Sequence, residues 1–214
     1  QHLVRVAEMI GRKIVVPENK TLDFWIDFYN ALPNHRQRWC TRQIKILPCI
    51  AYLRRLGAEG EQPTLLVGLR ADEETREGIY GDLVKSRFPM REWGWGLKEV
   101  REYLAGRGVE IPERTDCARC PYQRIGEWFV LWKKYPDRFQ KGVDDETRTK
   151  RTYRSPGPVR ADGVQLSGRD TWPVRLQDLA VEFAKGRIPK GYQPDGLRVL
   201  EDGETSEACR VCRI

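Results

Sequence analysis

Leu3, Val4, Val6, Ala7 and Ile10 recur at helical spacing and predict a helix that Gly11 stops. Lys13-Ile14-Val15-Val16-Pro17 then switches to a short continuous apolar run, which predicts a buried strand. Helix, glycine and strand make half of a βαβ unit, and so predict a parallel sheet. Thr21 stands where it can cap a second helix, Leu22 to about Leu32. Phe24, Trp25, Phe28 and Tyr29 give that helix an aromatic side, expected in the core. Pro48 breaks or kinks the next pattern. Ile50, Leu53 and Leu56 pack a further helix ending at Gly57, with Cys49 expected as a buried structural thiol.

Pro63-Thr64-Leu65-Leu66-Val67-Gly68-Leu69-Arg70 reads as a second buried strand, with an arginine past its carboxyl end, where open α/β sheets bind ligands. A helix from Leu97 to Leu104 follows, with Val100 inward and Gly106 and Gly108 closing it. Behind Cys117-Ala118-Arg119-Cys120, Pro121 is expected to open a helix. Its stripe of Ile125, Trp128, Phe129 and Trp132 is spaced i, i+3, i+4, i+7 for packing. Periodicity fails from Arg148 to Trp172, which reads as a long basic loop carrying Lys150, Arg151, Arg154, Arg160 and Arg169. Tyr153 and Trp172 interleave with these cations, so the loop is either a nucleic-acid contact or a flexible linker. Leu176, Leu179, Ala180 and Phe183 form a last helix ended by Gly186. The expected fold class is α/β, a parallel sheet flanked by helices. Residues 1–147 form a partial nucleotide-binding domain with the first CxxC, and 148–214 hold the basic loop, a helix and a tail.

Composition narrows the function. The chain has 214 residues, 40% hydrophobic and 32% charged, enough for one domain with a full core. No apolar run reaches the length of a membrane span and no signal peptide is visible, so an intracellular, reducing location is expected, cytoplasmic rather than membrane-bound. The six cysteines then point to metal ligation more than to disulfides. A net charge of +7 favours anionic partners, or reflects a solvated surface rich in Arg.

The cysteines carry the chemistry. Cys117 and Cys120 form one CxxC, and Cys209-Arg210-Val211-Cys212 forms another. Thiolates two residues apart converge on one ion, so both pairs are expected at one centre joining mid-chain and C-terminus. Cys40 lies among Arg36, Arg38, Arg42 and Lys45, which would lower its pKa. That suits metal ligation or nucleophilic attack, or leaves an inert thiol on a basic helix. Such thiolate sets fit an iron–sulfur cluster or Zn2+ about equally. Arg70 and Arg76 can fork onto a phosphate or sulfate, or pair with Asp72, Glu73 and Glu74.

Four segments in order resemble the phosphoadenosine phosphosulfate (PAPS) reductase family, of the adenine-nucleotide α-hydrolase or N-type ATP pyrophosphatase superfamily. They are Arg38-Trp39-Cys40-Thr41-Arg42 through Lys45 and Pro48, Gly68-Leu69-Arg70 through Arg76, Pro89-Met90-Arg91-Glu92-Trp93 through Val100, and Cys117-Ala118-Arg119-Cys120. Trp39-Cys40-Thr41, with one cysteine, is closer to phage-encoded and DNA-phosphorothioation members than to assimilatory reductases. The resemblance implies that Arg42, Lys45, Arg70 and Arg76 hold an adenine nucleotide, ATP or PAPS-like. It also implies an iron–sulfur cluster on Cys117 and Cys120, joined by Cys40 and by Cys209, Cys212 or both. Sulfur transfer or sulfonucleotide reduction would follow, with a protein partner supplying sulfur or electrons. The family's pyrophosphate loop, Ser-Gly-Gly-x-Asp-Ser, occurs nowhere in the chain. The first strand and that loop are expected to precede Gln1 or to come from another chain, and this chain alone is expected to bind ATP weakly. A non-catalytic, zinc-stapled module binding nucleic acid or a protein is the alternative. A thiol reductase using Cys209 or Cys212 is a third reading, weakened because the tail lacks the reductases' Glu-Cys-Gly ending.

Overall fold

A computed structural model describes residues 2–60, 62–73, 84–109 and 117–196. Arg76, Cys209 and Cys212 lie outside the described residues. Those described form two compact units, residues 2–19, 41–60, 62–73 and 84–109 in the first and 20–40 and 117–196 in the second.

In the first unit α1 spans His2–Ile10, and Gly11 ends it at φ +64°, a left-handed conformation open to glycine. The strand expected at Lys13–Pro17 does not form. Val15 and Val16 are exposed, and no strand of the described residues pairs with them. An apolar run is a strand only when a neighbour takes its backbone groups. The parallel sheet consists instead of β1 (Thr64–Leu66) and β2 (Lys85–Arg87), in register Thr64↔Lys85 to Leu66↔Arg87. The fold is thus mixed α/β, with a small parallel sheet flanked by helices. β1 is shorter than expected and not buried: its three residues alternate exposed, half-buried, exposed.

Pro48 acts one turn earlier than its own position. It lacks the N–H that would bond the carbonyl of Ile44. The chain runs as a π-helical turn over Thr41–Ile46 before α3 (Leu47–Ala58). Asn19 Nδ2 donates to that Ile44 carbonyl oxygen at 2.7 Å, satisfying the acceptor that the proline leaves open. Cys49 on α3 is exposed, not buried; α3 keeps no fully buried residue. A 3₁₀ turn at Ala71–Glu73 and α4 (Pro89–Glu92) come together through Ala71 N–H to Trp95 O at 2.8 Å and Arg91 Nη2 to Glu73 O at 2.6 Å. α5 spans Leu97–Gly106, two residues longer than expected.

The second unit holds the well-packed core. α2 (Leu22–Tyr29) is capped by Thr21, whose Oγ1 accepts from the Phe24 N–H. The aromatic side of α2 was expected inside; Trp25 is half-buried, but Tyr29 is exposed together with the two phenylalanines. Ile26 is fully buried, with Leu22 one turn before it packed on the core, while Phe24 and Phe28 are exposed on the opposite side. α6 (Ile125–Lys134) buries Trp128 and Phe129 as its stripe predicts, but Pro121 lies in the preceding turn and does not open the helix. α7 (Pro136–Thr149) follows directly, with Pro136 at its start. α8 (Leu176–Ala184) closes the core with Leu176, Leu179 and Phe183. Gly142 of α7 lets α8 come close, since a Cβ there would stand 2.8 Å from a Leu176 methyl.

The segment expected as a loop is a hairpin, β3 (Pro156–Val159) with β4 (Gln165–Ser167). Asp162-Gly163 makes its turn: Gly163 has φ +83°, and Arg160 N–H donates to Val164 O at 2.8 Å. Gly157 permits the strands' approach, because a Cβ there would lie 2.6 Å from the Gly168 backbone. Tyr153 and Trp172 are not stacking platforms; both are buried in the core. Several of the loop's cations are paired: Arg154 with Asp170, Arg160 with Asp162, and Arg148 with Asp27 and Asp145.

Candidate metal centre and anion sites

Cys117 and Cys120 end one tight turn, closed by Cys120 N–H to Cys117 O at 3.0 Å. Three side chains fix that turn to the second unit. Gln123 Nε2 donates to the Cys117 carbonyl oxygen at 2.7 Å, and the Gln123 N–H donates to Cys120 O at 3.1 Å. Ala118 packs on the hydrophobic core. Arg119, between the cysteines, donates through Nη1 to Asp23 and to Asp145. Burial disfavours the Arg119 charge, but its hydrogen bonds to Asp23 and Asp145 outweigh that and raise its pKa; the same bond lowers that of Asp23.

The turn holds Cys117 exposed and Cys120 half-buried, with their backbone already set. Two sulfur donors on a hydrogen-bonded turn fit half of a tetrathiolate set, for zinc or for an iron–sulfur cluster. Cys40, half-buried, belongs to the same unit. Among the described residues no three of His, Cys, Asp and Glu are grouped to hold a metal ion. The structure therefore brings Cys117 and Cys120 together and groups no third described donor with them. No helix of the described residues is long and apolar enough to cross a membrane.

Of the predicted anion-holding residues, Arg42, Lys45 and Arg70 lie in the first unit. Arg42 and Lys45 are exposed, three residues apart on the π-helical turn. Arg70 is committed to a neighbour: its Nε donates to Asp72 Oδ1 at 2.7 Å and its Nη2 to Asp72 Oδ2 at 3.2 Å. That fork holds the Asp72 carboxyl below the usual carboxylate range. The Arg70 N–H also donates to Glu73 Oε2 at 3.2 Å.

Two features escape a reading of motifs. α7 carries buried Asp145 and Glu146, and the loop after α2 brings Asn34, His35 and Arg36 beside Lys150–Pro156 and Arg175 around an open cleft of about 610 Å³. The available signal for the first was Phe139, Val143 and Glu146 at helical spacing behind Pro136. The second has no local signal, because its cations come from three separated segments. No protein-family model, curated protein or solved structure matches the chain.

Proposed function

We propose that this is a PAPS reductase-like protein that handles an adenine nucleotide and carries a cysteine-ligated inorganic centre, acting in sulfur transfer or sulfonucleotide reduction. The observation that carries the reading is the Cys117–Cys120 turn, closed by its own hydrogen bond and pinned by Gln123 and Arg119. A turn anchored in this way gives up little further conformational freedom when its thiolates bind a metal. Cys117 and Cys120 would supply two ligands, with Cys40, Cys209 and Cys212 as candidates for the rest. A bound cluster supplies electron or sulfur chemistry, whereas a closed zinc site supplies only structure. The ordered motif segments support the family, and Arg42 and Lys45 are exposed as an anion-holding pair should be. Arg70 would contribute by orienting its strand end through Asp72, and Arg76 is assigned from the motif alone.

Calorimetric titration with ATP and with PAPS tests the nucleotide half. Weak binding is expected, since the Ser-Gly-Gly-x-Asp-Ser loop is not in this sequence. R42A/K45A should weaken it at least about tenfold, the scale of losing one or two charge-assisted hydrogen bonds. Equal affinity for variant and native chain would remove these residues from the site.

A further inference from the structure

The wall of the open cleft in the second unit is cationic. None of its lining residues is acidic, while Arg36, Lys150, Arg151 and Arg175 all contribute to its wall. These four are exposed, and none of them makes a salt bridge within 4.0 Å among the described residues. The contrast is with Arg148, Arg154 and Arg160 of the same region, each held by a carboxylate. Arg154 lies in the cleft wall at 4% exposure, its Nη2 bonded to both oxygens of Asp170 and its buried Nη1 without an acceptor. His35, also lining the cleft, has a buried Nε2 with no hydrogen-bond partner.

The backbone adds an independent sign. Lys150 closes α7 at φ +54°, in the left-handed region that glycine occupies at little cost. A lysine there carries a backbone cost that glycine would not. The adjoining segment is held in place: Thr152 Oγ1 donates to Arg154 O at 2.7 Å, and Asn34 Oδ1 accepts the Arg36 and Gln37 N–H groups at 2.9 Å. The cations therefore project from an ordered rim.

We propose that this cleft binds the phosphodiester backbone of nucleic acid. Four exposed cations and no carboxylate in the wall suit the repeated charges of a polyanion. Tyr153, the one Phe, Tyr or Trp side chain that lines the cleft, is packed in the core and offers no face for bases to stack on. Binding is thus independent of sequence and driven by counterion release. The inference does not rest on the adenine-nucleotide reading, which concerns residues of the first unit.

The test is a fluorescence-anisotropy titration of the full chain with a labelled mixed-sequence single-stranded oligonucleotide, at several salt concentrations. Four phosphate contacts give a slope of log affinity against log salt of about −3, or roughly a fifty-fold loss between 50 and 200 mM. R36A/K150G/R151A should lower the slope to about −1 and weaken binding at least about tenfold at low salt. K150G keeps the left-handed backbone, so the thermal midpoint should hold or rise. A control that removes three exposed cations elsewhere, Lys13, Lys98 and Arg138, should bind like the native chain. Equal loss in both triple variants means diffuse charge and overturns the proposal. So does competition by equimolar ATP, which would mark the cleft as a mononucleotide site.

Discussion

Asp145→Ala is expected to destabilise the second unit by about 3–5 kcal/mol, the usual loss when one partner of a buried charge pair is deleted. Asp145 is 3% exposed and accepts three hydrogen bonds. They come from Arg119 Nη1 at 2.7 Å, Arg148 Nη2 at 2.8 Å and the Tyr153 hydroxyl at 2.7 Å. The two arginines of this network keep alternatives, because Arg119 also bonds Asp23 and Arg148 also pairs with Asp27. Tyr153 has none: burial and the neighbouring Asp145 charge push its phenol pKa up, and its hydroxyl would be left without an acceptor. Denaturant unfolding should therefore show a non-additive cycle. Tyr153→Phe alone should cost about 1 kcal/mol, yet in the Asp145→Ala background it should cost nothing or stabilise. A loss below about 1 kcal/mol for Asp145→Ala would show that the network is not built as described. Because Arg119 sits between Cys117 and Cys120, the same substitution should also loosen the turn that carries these cysteines.

The second large effect is a dependence of stability on pH, centred on Glu146. Its carboxylate oxygens accept the Tyr153 N–H at 3.0 Å and the Leu176 N–H at 2.8 Å. Burial pushes its pKa up to about 7, against the opposing pull of those two bonds and of Arg175 and Arg154. The folded state then holds the proton more tightly than the unfolded chain. The associated stability is complete below the ordinary value of 4.5 and is lost as pH rises towards 7. At 1.36 kcal/mol per pH unit the whole loss is about 3 kcal/mol. His35 works the other way in part of this window: burial and then Arg169 lower its pKa, so its contribution grows as pH rises towards 6.5. Asp23, Asp72 and Glu182 have lowered pKa values, and their stability is lost only in more acid solution. Comparing the native chain with Glu146→Gln cancels all of these. The variant should be less stable at pH 5, where one N–H loses its acceptor, and the difference should shrink or reverse by pH 7.5. Parallel stability profiles would show that Glu146 does not titrate in this range.

The helices with an apolar stripe were legible in the sequence. α6 and α8 follow their spacing because large side chains at i, i+3 and i+4 have one buried direction to share. α7 was only partly legible: Phe139, Val143 and Glu146 keep helical spacing behind Pro136, but the burial of Asp145 and Glu146 depends on Arg119, Tyr153 and Leu176, which no local pattern points to. The hairpin after it was masked by arginine, proline and glycine, although Asp162-Gly163 is a turn signal of known form. Lys13–Pro17 misled for the opposite reason, since its apolar residues have no pairing strand among those described. Of the candidate site, the Cys117–Cys120 turn could be read from spacing alone, but its clamps at Gln123, Asp23 and Asp145 could not. Spacing also left open whether Arg70 would pair with Asp72, and the structure shows that it does.

The central claim is that Cys117 and Cys120 help to hold an inorganic centre, and anaerobic purification of the full chain addresses it most directly. Iron, acid-labile sulfide and zinc should be measured beside a visible spectrum, for the native chain and for Cys117→Ser/Cys120→Ser. The account predicts brown protein with iron and sulfide, and a double variant that loses both while its helical circular dichroism is kept. Colourless protein with one zinc would replace the cluster by a structural site, and protein binding neither metal would contradict the account.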